Sequence, residues 1–447
     1  MNARAPHILL VNPWIHDFAA YDYWAKPLGL LLLAAALRDH GMGVDYIDCL
    51  DRHHPRAPFQ DPRARHGRGP YHKVRIPKPA GLDDVPRRFS RYGIEPEWLA
   101  ADLAAAPRPD LILVTSLMTY WYPGVQETIR MLRRAFPGVP VLLGGVYATL
   151  CTAHARQHAG ADEVVAGEGL RPVMARIAAM TGYGPAWRFD PEDLDAFPYP
   201  ALDLQREVGY APLLTSTGCP FSCAYCASRY LAPKRQVRRP EAVAAEIRFW
   251  HEAYGINDFV FYDDALLIRP ERHIIPILSA VIEMGLNVRF HTPNAVHIRE
   301  IDDPLATLMR RSGFETIRLG LETTAFDDRS ALDRKVDAQQ FLAAVTCLRR
   351  AGFSPHQLGA YLLAGLPGQR ISDVEQSIRT VRQSGITPVI AHYTPIPHTP
   401  MWAAAVAASR YDIAADPIFT NNAVFPCRTE GFSWEVLTRL KQMAQGE

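Results

Sequence analysis

Short apolar runs alternate with longer apolar or amphipathic runs along most of this chain. Near the start, five apolar runs have the length of buried strands, at 7–11, 44–47, 111–115, 139–143 and 163–166. Longer runs at 27–37, 125–136 and 171–180 have the length and residue content of helices. This alternation predicts an α/β fold with a parallel, doubly wound sheet, which binds ligands beyond the carboxyl ends of its strands.

The alternation resumes after residue 210, where six further strands are predicted at 211–214, 259–262, 288–291, 316–321, 358–364 and 389–393. Polar residues or glycines follow several of these strands directly: Asp263, Asn294, Glu322, and the stretch Gly-Leu-Pro-Gly-Gln at 365–369. Six strand–helix units predict a partial (β/α)6 barrel. In such a barrel the residues at the carboxyl ends of the strands share one face, where active sites lie.

The patterns divide the chain into four parts. We expect an N-terminal Rossmann-like domain over 1–180, a Pro- and Asp-rich linker over 181–210, the partial barrel over 211–402 and a C-terminal helical extension over 403–447.

An insertion at 52–95, rich in Pro and Gly, interrupts the first domain. From 52 to 92 it holds 11 Lys or Arg against 3 Asp, although the whole chain has a net charge of only +1. It is either a solvated loop or a cap that recognises an anionic substrate through Arg87, Arg88 and Arg91, because guanidinium groups suit carboxylate and phosphate.

Composition narrows the class of protein. Hydrophobic residues make up 48% of the chain and charged residues 21%, which is typical of globular proteins. The longest apolar run is too short to span a bilayer and no signal-peptide pattern opens the chain, so we expect a cytoplasmic protein without a membrane span. The net charge gives no general attraction to nucleic acid, and no nucleic-acid partner is expected.

Three of the 7 cysteines lie close together: Cys219, Cys223 and Cys226 have the spacing C-x3-C-x2-C. Iron–sulfur clusters are usually held by four cysteines, so a triad leaves one iron open to a substrate or cofactor. The alternative is a structural zinc completed by a distant residue, Cys347 or a histidine. The position of the triad after a predicted strand favours the cluster, because α/β barrels place their chemistry on such loops.

The triad, with the aromatic Tyr225 before its third cysteine, resembles the signature of the radical S-adenosylmethionine (SAM) superfamily. The resemblance implies a [4Fe-4S] cluster held by the three cysteines, with SAM chelated to the open iron. One electron, from a flavodoxin- or ferredoxin-type donor, then cleaves SAM to methionine and a 5′-deoxyadenosyl radical. The resemblance also places six residues at the SAM site or its cavity: Tyr225, Asp263, Asn294, Glu322, Gly365 and Gly368.

The first domain resembles the cobalamin-binding domain found ahead of many radical SAM barrels. The likeness rests on a strand followed by Ser-Leu-Met-Thr at 116–119, then a helix, another strand and a Gly-Gly pair. It implies that Ser116 lies near the dimethylbenzimidazole tail and that Gly144 and Gly145 lie near the nucleotide loop. Three more residues follow strands at the same edge and join this predicted site: Asn12, Thr115 and Gly167. The motif D-x-H-x-x-G is absent, and His16 lies outside its frame.

The combined resemblance implies a radical SAM enzyme that transfers a methyl group, by way of cobalamin, to an unactivated carbon of a small molecule. One SAM would methylate the cobalamin and a second would supply the radical. Two alternatives stay open. One is a radical SAM rearrangement or cyclisation enzyme with a degenerate cobalamin domain, and the other is a non-catalytic cobalamin or redox sensor.

Overall fold

The computed structural model describes residues 4–57, 65–167, 169–327, 332–429 and 431–446. The chain forms two compact units, one made of Met1–Gly209 with Ala415–Val424, the other of Tyr210–Ala414 with Phe425–Glu447. Within the described ranges, every helix is too short or too polar to cross a membrane.

The first unit contains a five-stranded sheet whose neighbouring strands are all parallel. In spatial order the strands are Gly43–Asp48, His7–Asn12, Leu111–Val114, Val141–Leu143 and Glu163–Val164. The order in which strands are added to the sheet reverses between His7–Asn12 and Leu111–Val114. The carboxyl ends of these two strands therefore form the switch point where doubly wound sheets bind ligands. The predicted doubly wound sheet is therefore confirmed.

Helices cover both faces of this sheet: Leu28–Asp39, Pro96–Ala105, Tyr122–Ala135, Val146–Leu150, Thr152–His158 and Leu170–Thr181. Alternate side chains of the strand His7–Asn12 enter two separate cores. Leu9 and Val11 pack with the helices Pro96–Ala105 and Tyr122–Ala135, while Ile8 and Leu10 pack with Leu28–Asp39. Burial on both faces explains why the strands are nearly continuous apolar runs.

The described part of the insertion at 52–95 contains regular structure. Lys73–Arg75 and Ser90–Tyr92 join Ile15–Asp17 in a three-stranded antiparallel sheet. Tyr71 and Tyr92 pack with Ile15 beneath it. Short strands thus lie within the described part of the insertion, while residues 58–64 lie outside the described residues.

The second unit contains six parallel strands whose spatial order follows the sequence. They are Ala211–Leu213, Asp258–Phe261, Arg289–His291, Phe314–Glu322, Leu358–Ala364 and Thr387–His392. The helices of this unit are Ser228–Leu231, Pro240–Tyr254, Ile274–Glu283, Asp303–Arg311, Ala338–Arg350, Ile371–Gln383, Trp402–Ala408 and Trp434–Gln445. The predicted six-stranded partial barrel is confirmed, and its strands end at one edge.

Two stretches of the chain belong to different parts of the structure than the sequence patterns predicted. The proposed linker packs against the helix Leu28–Asp39, where the Ala201 amide donates to the Leu31 carbonyl and Arg38 pairs with Asp203 at 2.7 Å. Ala415–Val424, placed in the C-terminal extension by the sequence, is part of the first unit. We call this stretch the returning segment. Asn421 donates to the Asp17 carboxylate at 2.8 Å, and Thr420 bonds Thr119 at 3.0 Å.

Candidate functional site

The cysteine triad lies on a loop whose approach is fixed by a buried carboxylate. Asp263, at the end of the second barrel strand, accepts hydrogen bonds from the Thr215 hydroxyl at 2.7 Å and the Ser216 hydroxyl at 2.6 Å. Gly218, just before the first cysteine, has a φ of +70°, and a Cβ there would lie 2.7 Å from the Lys234 carbonyl oxygen. Asp263 is thus engaged with the chain leading into the loop.

All three thiols of the loop are free of disulfides, and each has a hydrogen-bond partner. The Phe221 amide donates to the Cys219 sulfur and the Ser228 amide donates to Cys226 at 3.4 Å, while Cys223 is hydrogen-bonded to the Tyr225 hydroxyl. Burial raises the pKa of Cys219, and it raises that of Cys223 to about 11. Thiolates at this site therefore need a metal or cations to stabilise their charge.

The spacing of the thiols fits a cluster better than a single ion. The three sulfur atoms are not all within 4.8 Å of one another. A tetrahedral zinc, with Zn–S bonds of about 2.3 Å, needs sulfurs only about 3.8 Å apart. A cluster distributes its cysteines over several metal atoms and so accepts wider spacing.

Cys347, one of the residues suggested as a distant zinc ligand, has its own neighbours elsewhere in the barrel unit. Cys347 lies on the helix Ala338–Arg350, where its charged neighbours are Asp303, Arg350 and Asp302. The chain also contains an H-x3-H pair, His154 and His158, but both belong to the first unit and His154 bonds the Tyr147 hydroxyl at 2.7 Å.

Next to the cysteine loop lies a nearly buried ion pair that the sequence only half revealed. Lys335 Nζ lies 2.8 Å from Glu322 Oε1, and the two side chains are 11% and 8% exposed. The same ammonium group donates to the Tyr225 hydroxyl at 2.8 Å, which links the pair to the loop. Burial alone would lower the pKa of Lys335, but Glu322, Cys223 and Asp333 together raise it, so the lysine stays charged.

Glu322 has an unusual backbone for this position. Its φ is +66°, and the pairing register with the next strand shifts between Gly320 and Glu322. A non-glycine residue in this conformation costs of order 1–3 kcal/mol and is typical of functional sites. The bulge turns the Glu322 carboxylate towards Lys335, whereas in a regular strand the side chains would keep alternating between the two faces of the sheet.

The other predicted SAM residues lie at the same strand-end edge. Asn294 is exposed and donates to the Tyr262 carbonyl at 2.9 Å. The side chain of Gln369 closes the turn after the fifth strand by accepting from the Gly365 amide at 2.8 Å. Gly365 and Gly368 both have positive φ, of +91° and +68°, and Gly368 faces open space.

Sequence reasoning missed Lys335, Asp333 and Arg235. Asp333 accepts from the Tyr225 hydroxyl at 3.4 Å, and Arg235 donates to the Gly218 carbonyl at 3.2 Å. These residues lie in loops without a hydrophobic period, and a single sequence carried no signal for them.

In the first unit, the predicted edge residues are linked by hydrogen bonds. Ser116 donates to the Gly144 carbonyl at 2.7 Å, and the Val146 amide donates to the Ser116 carbonyl at 2.8 Å. Thr149 donates to the Gly145 carbonyl and accepts from the Gly167 amide. Gly145 has a φ of +97°, and a Cβ there would lie 2.2 Å from the Ser116 carbonyl oxygen, so only glycine fits.

The same edge also carries exposed apolar side chains. Leu117 and Met118, which follow Thr115 and Ser116, are 43% and 41% exposed. Exposed neighbouring apolar residues at a ligand-binding edge are a mark of a binding surface. Across the switch point, Asn12 donates to the Asp48 carboxylate at 2.8 Å, and burial raises the pKa of Asp48 to about 6.

His16 and Arg91 are already paired. Glu127 lies 2.8 Å from His16 and 3.0 Å from Arg91, whose guanidinium also lies over the Trp14 ring. His16 therefore serves the packing of the small antiparallel sheet. Of the three arginines suggested for an anionic substrate, Arg88 is exposed, Arg87 is half-buried and Arg91 is bound to Glu127.

Two family models match separate segments of the chain. Residues 213–381 match the radical SAM superfamily model, and residues 91–177 match the B12 binding domain model. The two matches confirm the predicted cofactor types: a [4Fe-4S] cluster and SAM for the first domain type, cobalamin for the second.

Curated relatives are distant. An uncharacterized methyltransferase of Pyrococcus horikoshii, PH0819, is 27% identical over 227 residues, which is 48% of each chain. A bacteriochlorophyllide d C-12(1)-methyltransferase of Chlorobaculum tepidum is 24% identical over 278 residues, or 59% of each chain. The chain thus spans about half the length of these relatives.

Solved structures confirm the fold. The radical SAM methyltransferase TsrM of Kitasatospora setae superposes with a TM-score of 0.65 at 17% identity, over 91% of this chain and 78% of that one. The cobalamin-dependent radical SAM enzyme OxsB gives 0.58 at 13% identity, over 90% and 55%. The chain therefore shares its fold with these proteins, and its two segments match the B12 binding domain and radical SAM models in that order.

Proposed function

We propose that this protein is a cobalamin-dependent radical SAM enzyme that transfers a methyl group to an unactivated carbon of a small molecule. The observation that carries the proposal is the loop of three free thiols, each with a hydrogen-bond partner, beside the Glu322–Lys335 pair at the strand-end edge of the barrel. Two relatives named as methyltransferases support the choice of reaction. When bound, the cluster, SAM and cobalamin supply a hydrogen-abstracting radical and a transferable methyl group.

The chain's own residues have distinct tasks in this proposal. Cys219, Cys223 and Cys226 bind the cluster. Glu322 and Lys335 provide the negative and positive charges that suit the amino and carboxylate groups of SAM. Asp263 holds the loop rather than the ligand, because three donors from Thr215 and Ser216 already occupy its oxygens.

In the first unit we propose that the backbone at Ser116, Gly144 and Gly145 accommodates the nucleotide tail of cobalamin. Nothing lies within 4 Å of a Cβ built on Gly144 or Gly167, which leaves room for a ligand to approach the backbone. Leu117 and Met118 offer an apolar surface to the corrin ring, and Asn12 and Thr115 complete the edge.

We propose an acidic one-electron carrier, of the flavodoxin or ferredoxin type, as the partner protein. Directly after the cysteine loop, residues 227–240 carry five Lys or Arg and no Asp or Glu. Arg229, Lys234 and Arg239 are exposed, together with Tyr230 and Val237 at 45% and 47%. Cationic and apolar side chains of this kind suit a small, transient docking surface. Such a reductant and the free thiols suit a cytoplasmic location.

The proposal is tested by anaerobic purification and reconstitution of the full chain. We expect about four irons per chain and bound corrinoid. With SAM and dithionite, both 5′-deoxyadenosine and S-adenosylhomocysteine should form. The variant with all three loop cysteines changed to Ala should lose the iron and both products but keep the corrinoid, whereas Cys347→Ala should match the wild type.

Different product patterns separate the alternatives. Deoxyadenosine without S-adenosylhomocysteine would contradict methyl transfer and favour a rearrangement or cyclisation enzyme. Bound cluster and corrinoid without any SAM cleavage would favour a sensor. Loss of corrinoid in the cysteine variant would contradict two independent cofactor sites.

A further inference from the structure

One buried histidine beside the cysteine loop has no role in the function described above. His297, in the loop after the third barrel strand, is only 7% exposed. Its Nδ1 atom is fully buried and has no hydrogen-bond partner among the residues that the structure describes. An unsatisfied buried polar group costs roughly 1–3 kcal/mol, so such an atom calls for a partner that binds with a ligand or cofactor.

His297 touches the cysteine loop through Phe221. The two rings are stacked, with centroids 4.6 Å apart and an interplanar angle of 24°. The guanidinium of Arg299 lies 4.5 Å from the Phe221 ring centroid. Phe221 lies midway between Cys219 and Cys223, and its amide donates to the Cys219 sulfur. The stack therefore holds the residue that already bonds one of the thiols.

The backbone of this histidine loop is rigidly attached to the barrel. The Val296 amide donates to the Arg318 carbonyl at 2.8 Å, and the Gly320 amide donates to the Val296 carbonyl at 3.1 Å. Gly320 is two residues before Glu322, so the loop carrying His297 is tied to the strand that carries the ion pair. The imidazole is consequently fixed relative to the cysteine loop before any cofactor binds.

Charges around His297 favour its neutral form. Burial, followed by the positive charges of Lys335, Arg299 and Arg235, lowers its pKa to about 3. A neutral imidazole carries one N–H, which can be on Nδ1. Thiolate and sulfide sulfurs accept hydrogen bonds from such donors, and these bonds tune the reduction potential of iron–sulfur clusters.

We propose that His297 is a positioning residue for the metal centre: its ring fixes Phe221, and its Nδ1–H donates to a sulfur atom of the centre bound by the three cysteines. This inference rests on the proposed function, because it needs a cluster in the loop. The hydrogen bond stabilises the reduced, more negative cluster, so its loss lowers the midpoint potential.

Two substitutions separate the ring from the nitrogen. His297→Phe keeps an aromatic ring on Phe221 and removes the donor. We expect wild-type iron and sulfide content with a midpoint potential clearly below that of the wild type, measured by anaerobic titration followed by electron paramagnetic resonance. His297→Asn places an amide N–H near the Nδ1 position, and we expect it to bring the potential back towards the wild-type value.

A second stacked histidine provides a matched control. His398 also stacks on an aromatic ring, that of Tyr230 at 4.1 Å, but His398 is exposed. His398→Phe should leave the potential unchanged. A wild-type potential in an iron-replete His297→Phe protein would overturn the inference, as would His297→Asn behaving like His297→Phe. A wild-type protein that binds no cluster would overturn the proposed function itself.

Discussion

The ligand-binding edges of the two units are built in different ways. In the barrel unit, the edge consists of charged and nucleophilic side chains that are partly buried and hold one another, such as Lys335, Glu322 and Tyr225. In the sheet unit, the predicted edge consists of glycines, small hydroxyls and exposed apolar side chains, and a Cβ built on Gly144 or Gly167 would meet nothing within 4 Å. A reactive centre needs particular functional groups, whereas a large preformed cofactor needs room and shape.

The largest effect of a substitution on stability is expected at the barrel edge. Lys335→Met leaves Glu322 as an unpaired, nearly buried charge, which costs roughly 3–5 kcal/mol of unfolding free energy. The double variant with Glu322→Gln should recover much of that loss. Denaturant unfolding measures stability, and equilibrium dialysis measures SAM binding, which both variants should lose. Equal stability of the single and double variants would show that the pair is not coupled.

An intermediate effect is expected at the backbone of the sheet edge. Gly145→Ala forces a Cβ onto the Ser116 carbonyl in a backbone conformation that favours glycine. We expect the free energy of unfolding to fall by about 2–4 kcal/mol and the bound corrinoid to be lost. The neighbouring Gly144→Ala is the control for stability alone, because a Cβ there meets nothing within 4 Å of the protein. A wild-type melting temperature for Gly145→Ala would show that the tight contact is not needed.

The smallest effect on stability is expected at the exposed apolar side chains. Leu117→Glu should change the free energy of unfolding by less than about 0.5 kcal/mol, yet weaken cobalamin binding by roughly tenfold because it places a charge against an apolar ligand surface. Leu342→Glu, at a leucine that is 52% exposed on a barrel helix, is the matched control. If both variants bind cobalamin equally well, the apolar surface has another purpose.

The sequence predicted the regular parts of both units because their strands are long apolar runs and their ligand loops follow strand ends. It missed the strands Lys73–Arg75 and Ser90–Tyr92, since three residues show no detectable period. Glu322 was predicted as a site residue because it follows an apolar strand. Lys335 was not, because its contact with Glu322 depends on the tertiary fold and not on a local pattern. His297 was hidden for the same reason.

The cysteine spacing and the glycines differ in what they reveal. Cys219, Cys223 and Cys226 are close in sequence, so their shared role is visible without a structure. Ser116 and Gly145 are far enough apart that only strand order predicts their contact. Long-range partners such as Asp17 and Asn421 have no local pattern at all.

The returning segment affects how the first unit can fold during synthesis on the ribosome. The first unit includes Ala415–Val424, so the bonds of Asn421 to Asp17 and of Thr420 to Thr119 can form only after more than 400 residues have been made. The N-terminal unit can be completed only after the whole set of barrel strands has left the ribosome. A nascent or prematurely terminated chain that lacks this segment therefore cannot form these bonds.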